Sequence, residues 1–336
     1  MRILFLAGAS LAALMATPAA AQSNISSVSQ TGTGAIATVT QKGKNDRSTV
    51  AQSGGGTVTV DQTGIKGSTS TVTTSADDRP PESTVTVTQS DTGGADAATG
   101  QANLSTVIQD NVNGFGATGS GSTVAVTQVH NAAGAAKNSS YVQQGRNATS
   151  GQVTVNQAGG ENNAYYASVT SNDNDGFINQ SGVGNDTVMI QNFQGRGALA
   201  SVTQNNDGAG LNVAYVEQVS AGFSANPAQF ALGAEARIVQ DGSRNFSSVI
   251  QSGYSELMSL GNVAENTQLG DDLTSSITQS GVDNLARVNQ RGVGNSSSVE
   301  QGGNGNTANV SQSTNGNAST VLQGGNNNLA SVTQGN

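Results

Sequence analysis

A glutamine recurs at every eleventh residue in the C-terminal part of the chain. The positions are Gln268, Gln279, Gln290, Gln301, Gln312, Gln323 and Gln334. Such a strict spacing predicts a repeat architecture, in which each repeat is one structural unit that packs only on its neighbours. Any fold of this chain must therefore place these amides in equivalent environments.

Four positions in each repeat have the same parity when they are counted from the preceding Gln, and none of them carries a charge. Alternate residues of a strand point to one face, so these positions predict the inward face of a short β-strand. The fifth position is mostly Asn and the ninth β-branched: Asn284, Asn295, Asn306, Asn317 and Asn328, and Val288, Val299, Val310, Val321 and Val332. We expect these Val residues to form the core. Gly at the second position predicts the turn: Gly281, Gly292, Gly303 and Gly325.

The seventh position alternates between Ser and Ala: Ser275, Ala286, Ser297, Ala308, Ser319 and Ala330. The true repeat is therefore 22 residues, with two strands per coil. We predict an all-β fold, a β-solenoid of two-strand coils with cross-β stacking at about 4.8 Å per layer. Identical amides would then stack as Gln and Asn ladders, because an amide both donates and accepts hydrogen bonds.

The regularity of the repeat varies along the chain. Regular repeats cover residues 22–62 and 240–336, and residues 63–239 read as degenerate repeats, irregular in the middle of the chain. In that segment the strand end persists as an apolar residue two positions before Gln. Insertions such as Ser75–Glu82 and Ser220–Phe230 fall between the expected strands.

Residues 1–21 differ from the rest in having Arg2, an apolar run and then Ala19 to Ala21. This pattern is typical of a signal peptide cleaved after Ala21, although an N-terminal membrane anchor is the alternative. The run is shorter than the roughly 20 residues that a spanning helix needs. We expect a secreted protein that is not an integral membrane protein.

Composition excludes several classes of function. Charged residues are only 10%, aromatic residues 4%, and cysteine is absent. The net charge is −9, without a basic patch, so nucleic acid is not indicated as a partner. We predict no enzymatic activity, no cofactor and no metal.

The repeat resembles the curlin repeat, whose pattern Q-x-G-x2-N-x-A-x3-Q is matched at Gln279–Gln290, Gln301–Gln312 and Gln323–Gln334. Curlins are subunits of secreted bacterial amyloid fibres. The resemblance implies an extracellular fibre subunit for adhesion and biofilm matrix, exported through the periplasm. It also implies partners: copies of the chain itself, a nucleator subunit, outer-membrane secretion machinery, and surfaces or host matrix. Three features depart from the family. The leading Ser is missing from these units, the chain is much longer than a typical major curlin, and no obvious non-repeat targeting segment lies between Gln22 and the first repeat.

Two alternative functions stay open, a monomeric β-solenoid adhesin that does not polymerise and a β-helix enzyme. We expect the last repeat strand to leave an uncapped edge, which favours the polymer. His130 is expected to be an ordinary loop residue, and Ser171–Ile178 a solvated turn rather than a calcium loop. Threonine rows such as "STVTVTQ" also occur on ice-binding solenoids, but we find no fixed offset for them and do not expect that function.

Overall fold

The computed structural model describes residues 24–64, 67–76, 83–91, 103–111, 121–131, 137–145, 151–168, 174–193, 197–220, 233–253 and 261–335. All regular secondary structure in these ranges is β-strand. None of the described segments forms a helix that is long and apolar enough to cross a membrane. The chain divides into two compact units, Met1–Val169 and Thr170–Asn336.

Unit 1, Met1–Val169, is a β-solenoid with two parallel sheets, in which successive strands alternate between the sheets. Its odd sheet consists of β1 (Ile25–Thr31), β3 (Arg47–Ser53), β5 (Thr69–Ala76), β7 (Leu104–Asn111), β9 (Ser139–Gln144) and β11 (Asn163–Ser168). Its even sheet consists of β2 (Ala35–Lys42), β4 (Gly56–Thr63), β6 (Thr84–Asp91), β8 (Thr123–His130) and β10 (Gln152–Gly160).

Unit 2, Thr170–Asn336, is built in the same way. Its even sheet consists of β12 (Asp175–Val183), β14 (Leu199–Asn206), β16 (Glu235–Asp241), β18 (Val263–Asp271), β20 (Leu285–Val293), β22 (Thr307–Gln312) and β24 (Leu329–Gln334). Its odd sheet consists of β13 (Asn185–Phe193), β15 (Asn212–Ser220), β17 (Phe246–Gly253), β19 (Thr274–Val282), β21 (Ser296–Asn304) and β23 (Ala318–Gln323). The predicted all-β solenoid with two strands per coil is confirmed in both units.

Strand register is kept by matching each Gln to a Gln in the next coil. In the regular part of unit 2 the paired residues are 22 apart, as in Gln268 with Gln290. In unit 1 the paired residues Gln89 and Gln128 are 39 apart, yet their strands remain parallel and in register. Insertions therefore lengthen the connections without shifting the stack, and the degenerate segment 63–239 contributes strands of the same kind.

The core of each unit is the thin space between its two sheets. Strand side chains alternate between buried and exposed or half-buried positions, as in β4 and β20. Val, Ala, Ser and Gln fill most inward positions. Larger side chains also enter this space, since Tyr166 in unit 1 and Met189 in unit 2 are fully buried.

The turns require glycine where successive coils approach each other closely. Gly281 has a φ of 100°, and a Cβ on it would lie 2.1 Å from the carbonyl oxygen of Gly303. Gly303 has a φ of 94° and an equal approach to Gly325. Both the left-handed backbone and the lack of space exclude a larger residue.

Candidate functional site: amide ladders and open strand edges

Glutamine side chains form a continuous ladder along each sheet of unit 2. In every link, Nε2 of one Gln donates to Oε1 of the Gln in the next coil, over 2.7 to 3.0 Å. The even-sheet ladder runs through Gln180, Gln204, Gln240, Gln268, Gln290, Gln312 and Gln334, and the odd-sheet ladder through Gln191, Gln218, Gln251, Gln279, Gln301 and Gln323.

Each ladder amide also ties the two sheets together. Gln290 is fully buried, and its Nε2 donates both to Oε1 of Gln312 at 2.8 Å and to the carbonyl oxygen of Thr274 at 3.0 Å. Its Oε1 accepts from Gln268. Both N–H groups and the carbonyl oxygen are thus used, which neither Leu nor an ionised Glu could reproduce.

The ladder of unit 1 is complete in the even sheet and broken in the odd sheet. The even-sheet ladder runs through Gln41, Gln62, Gln89, Gln128 and Gln157, each link 2.8 Å long. In the odd sheet Thr74 occupies the Gln position between Gln52 and Gln109. The hydroxyl of Thr74 and Oε1 of Gln109 are buried without a hydrogen-bond partner. One residue therefore leaves a polar gap in the stack.

The Asn position makes a different kind of ladder, in which the side chain bonds mainly to backbone. Asn284 Oδ1 accepts the backbone N–H of Asn306 at 3.0 Å. Its Nδ2 donates to the carbonyl oxygens of Ser280 and Gly303, at 3.0 and 2.8 Å. Asn at this position thus hydrogen-bonds each turn to the turns of the neighbouring coils. In the same way, Oδ1 of Asn295 accepts the backbone N–H of Asn317, and Oδ1 of Asn306 accepts that of Asn328.

The other predicted positions lie along the same stack. The ninth-position residues Val288, Val299, Val310 and Val321 are buried, and Val332 on the outermost described strand is half-buried. The turn glycines Gly281, Gly292, Gly303 and Gly325 all have positive φ. Ala21, the predicted signal cleavage position, lies outside the described residues.

The ladders are polar, so the outer edge of unit 1 at β1 and β2 differs from the outer edge of unit 2 at β23 and β24. At the end formed by β1 and β2, Oε1 of Gln30 and of Gln41 receives no ladder bond from any described residue. At the end formed by β23 and β24, Nε2 of Gln323 and of Gln334 donates to backbone carbonyl oxygens, with no further ladder acceptor among the described residues. The β1–β2 edge of unit 1 therefore presents acceptors, and the β23–β24 edge of unit 2 presents donors.

The outermost strands are also more exposed than interior ones. Inward positions of β24 are half-buried, whereas the equivalent positions of β22 are buried. Large apolar side chains lie exposed on these strands, with Leu329 at 77% and Ile36 at 53% exposure. No described strand pairs with the outer edges of β1, β2, β23 or β24. An unpaired parallel edge is a template for another strand.

The surface of unit 2 carries ion pairs, one between strands and one between turns. Arg287 contacts Glu265 at 2.7 Å, and Arg244 contacts Asp272 at 2.6 Å. The Arg244 guanidinium holds the pKa of the Asp272 carboxyl below its usual value. Burial, together with the hydrogen bond to Glu217, raises the pKa of Tyr215 to about 12. Each of these groups is thus bonded to a neighbouring side chain on the surface of unit 2.

The outward face of the even sheet in unit 1 carries threonines in register. The rows are Thr38, Thr59 and Thr86, and Thr57, Thr84 and Thr123. Each row has one fixed position relative to the ladder Gln, so the expectation that no offset is kept is wrong. Insertions between strands separate the rows in the sequence and hide this regularity.

His130 is not an ordinary loop residue, because it ends β8 and is buried. Its Nδ1 lies 3.3 Å from Oδ1 of Asp91, the paired residue at the end of β6 in the neighbouring coil. Residues 174–178 are the described part of the calcium-like segment, and Asp175–Ile178 lies in β12 rather than in a turn. The described residues contain no group of three or more His, Asp and Glu that could hold a metal ion.

Comparison with known proteins identifies the repeat directly. The family model for the curlin associated repeat matches residues 281–313 and 303–335. No curated protein matches the chain. The curlin repeat family is a structural rather than an enzymatic family. Residues 281–335, where both ladders are regular, therefore carry the curlin associated repeat.

Proposed function

We propose that this protein is the structural subunit of an extracellular curli-like amyloid fibre, a pilus that mediates cell adhesion and biofilm matrix formation. Growth occurs when the outermost coil of one copy pairs with the outermost coil of the next. The observation that carries this proposal is the residue-by-residue match between β1–β2 and β23–β24. The family of the C-terminal repeats supports the same function.

The inward faces of the two ends match if the stack continues in its own register. In the odd sheet, Ser319, Val321 and Gln323 of one copy would lie beside Ser26, Val28 and Gln30 of the next. In the even sheet, Ala330, Val332 and Gln334 would lie beside Ala37, Val39 and Gln41. The alternation of Ser-type and Ala-type strands is therefore kept across the junction, and a shift by one strand would break it.

The ladders and the outward faces favour the same junction. Nε2 of Gln334 would meet the unbonded Oε1 of Gln41, which extends the ladder with its polarity unchanged. Leu329 would lie beside Ile36, so two exposed apolar side chains would cover each other. Complementary ends that differ from one another produce an open polymer rather than a closed dimer.

A charge on the junction tests this proposal. We expect Val332→Lys to slow elongation of seeded fibres at least tenfold, because an ammonium would be buried beside Val39. Thr333→Lys is the matched control, since it places the same charge on the outward face of the same strand. Seeded thioflavin-T kinetics give the rates, and fibre diffraction at about 4.8 and 10 Å checks the cross-β stack. Equal elongation by both variants would refute the junction.

A monomeric β-solenoid adhesin is the second candidate, and the in-register threonines of unit 1 favour it. An uncharged, in-register row of hydroxyl groups is suited to contact a surface without any polymer. A chain that stays monomeric at micromolar concentration with seeds present would favour this function. Fibre growth that depends on Val332 would favour the fibre subunit.

The family also supports the proposed route and partners. These are secretion through the periplasm and an outer-membrane machinery, a nucleator subunit, and surfaces or host matrix as adhesion targets. The first residues, predicted as a signal peptide, are consistent with export. Detection of the chain on the cell surface and identification of its N-terminus would test this part.

A further inference from the structure

Asp46 occupies a position in the odd sheet of unit 1 that Asn occupies in most other coils. The residues at this position in unit 1 are Asn24, Asp46, Ser68, Asn103, Asn138 and Asn162. The backbone N–H of Asp46 donates to Oδ1 of Asn24, and Oδ1 of Asp46 accepts the backbone N–H of Ser68, both at 3.0 Å. One carboxyl oxygen thus does what the Asn carbonyl oxygen does elsewhere.

The second carboxyl oxygen lies where the Asn Nδ2 would be. In Asn306 that Nδ2 donates to the carbonyl oxygens of Gly302 and Gly325, at 2.9 and 2.8 Å. The residues equivalent to these two glycines are Lys42 and Gly64. A Cβ placed on Gly43 would lie 2.8 Å from Oδ2 of Asp46 and 2.2 Å from the carbonyl oxygen of Gly64, so these two oxygens face the same small space.

Oδ2 of Asp46 is buried without a hydrogen-bond partner, and the whole residue is 1% exposed. An ionised oxygen here offers only lone pairs to a site built around acceptors. A protonated oxygen can donate a hydrogen bond as Asn Nδ2 does. The chemistry of this position therefore favours the neutral acid.

The surrounding charges do not offset the burial. Asp91 of β6 lies in the next turn of the stack, close enough to Gly64 that a Cβ there would be 2.9 Å from its own Cβ. Asp91 is paired with His130 of β8. Lys42, Lys44 and Arg47, near Asp46 in the chain, are exposed, and none forms an ion pair with it. Burial is the main cause that raises the pKa of Asp46 to about 6; Asp91 raises it further and the Ser68 N–H lowers it.

We propose that Asp46 is a pH-sensitive element of the first coils of unit 1: neutral, it completes the turn stack, and ionised, it loosens the pairing of β1 and β3. The folded state then binds a proton that the unfolded state has already released, in the pH window between about 4 and 6. Stability of these coils is highest below that window, falls as pH rises through it, and is constant above it. This inference concerns the folded coil and does not depend on fibre formation.

The test compares the full chain with Asp46→Asn, which restores the donor of the other coils, by hydrogen exchange of the β1 and β3 amides. We expect the β1 and β3 amides of the variant to be protected about ten- to one hundredfold more than those of the natural chain at pH 7, as the raised pKa of Asp46 implies. At pH 4 we expect equal protection. Asp61→Asn, on the outward face of β4, is the control. It should leave the protection of the β1 and β3 amides unchanged at both pH values.

Two results would overturn the proposal. One is a protection ratio that does not change between pH 4 and pH 7. The other is a carbon-13 titration of the Asp46 carboxyl in the folded chain that gives the ordinary midpoint near 4. A midpoint near 6 together with a pH-dependent ratio would support it, whether or not the chain forms fibres.

Discussion

Replacing Gln290 by Glu tests whether the ladder requires an amide rather than a polar side chain of the same shape. One oxygen of the new carboxyl group could still accept from Gln268. The other would face two acceptors, Oε1 of Gln312 and the carbonyl oxygen of Thr274, which now lie 2.8 and 3.0 Å from Nε2. The position is fully buried, so water cannot solvate the charge.

The expected cost follows from these contacts. An uncompensated charge at a buried position destabilises a fold by about 3–5 kcal/mol. Burial would raise the pKa of the new carboxyl in the folded state. Below about pH 4.3 the carboxyl is protonated in both the folded and the unfolded state, so the cost of burying its charge is absent, and this cost grows as pH rises. Below that value the protonated acid can donate one hydrogen bond where the amide donated two. The remaining destabilisation, from the lost contact, is about 1–3 kcal/mol.

Asn289→Asp provides the matched control. It is the same amide-to-acid change on the preceding residue, which points outward and is exposed. We expect its effect to stay within about 0.5 kcal/mol. Urea unfolding followed by circular dichroism, at pH 4 and pH 7, measures both variants, and hydrogen exchange in β18, β20 and β22 locates the change. Equal losses for the two variants at pH 7 would show that the amide is not needed.

Two further substitutions should repair defects in the stack. Thr74→Gln should stabilise unit 1 by about 1–2 kcal/mol, because the new amide can donate to the unpartnered Oε1 of Gln109 and accept from Gln52. Urea unfolding and hydrogen exchange in β5 and β7 would measure this change. No gain in stability would refute the reasoning. Asn266 occupies a core position between Ile238 and Val288, and its buried Oδ1 has no partner. Asn266→Val should therefore stabilise unit 2 by about 1–3 kcal/mol in the same unfolding assay, and a loss of stability would show that the contact from its Nδ2 to Ser247 outweighs the unpaired oxygen.

Much of the fold could be predicted from the sequence because a solenoid repeats one local rule. The alternation of Ser275 with Ala286 and Ser297 predicts two facing sheets, and β19, β20 and β21 follow it. The residue two positions before each Gln also located the strands of the degenerate segment. Parity within the repeat was sufficient here, because each coil contacts only its neighbours.

What the sequence could not reveal depends on contacts between coils. Thr74 and Asn266 look like ordinary polar residues until the register places each of them in a row of Gln or of β-branched side chains. His130 reads as a loop residue because the insertions around it conceal that it continues β8. Nothing in the sequence distinguishes Asp46 from the other scattered acidic residues, and only the stacked turns show that its Oδ2 is buried. A periodic pattern predicts the average coil, whereas each exception requires the coils above and below it.

The direction of the Gln ladder has a consequence for where such exceptions do harm. Each amide donates towards the next coil, so a residue that lacks either function deprives one neighbour of a donor or the other of an acceptor. At Thr74 the loss falls on Gln109, whose Oε1 is left without a partner, while Nε2 of Gln52 turns to the carbonyl oxygen of Gly56 at 2.7 Å. Damage is therefore confined to the adjacent coils. Interior coils can tolerate a single gap. The outermost described coils have a described neighbour on one side only, and there a missing amide would remove one of the two ladder bonds through which the proposed fibre would grow.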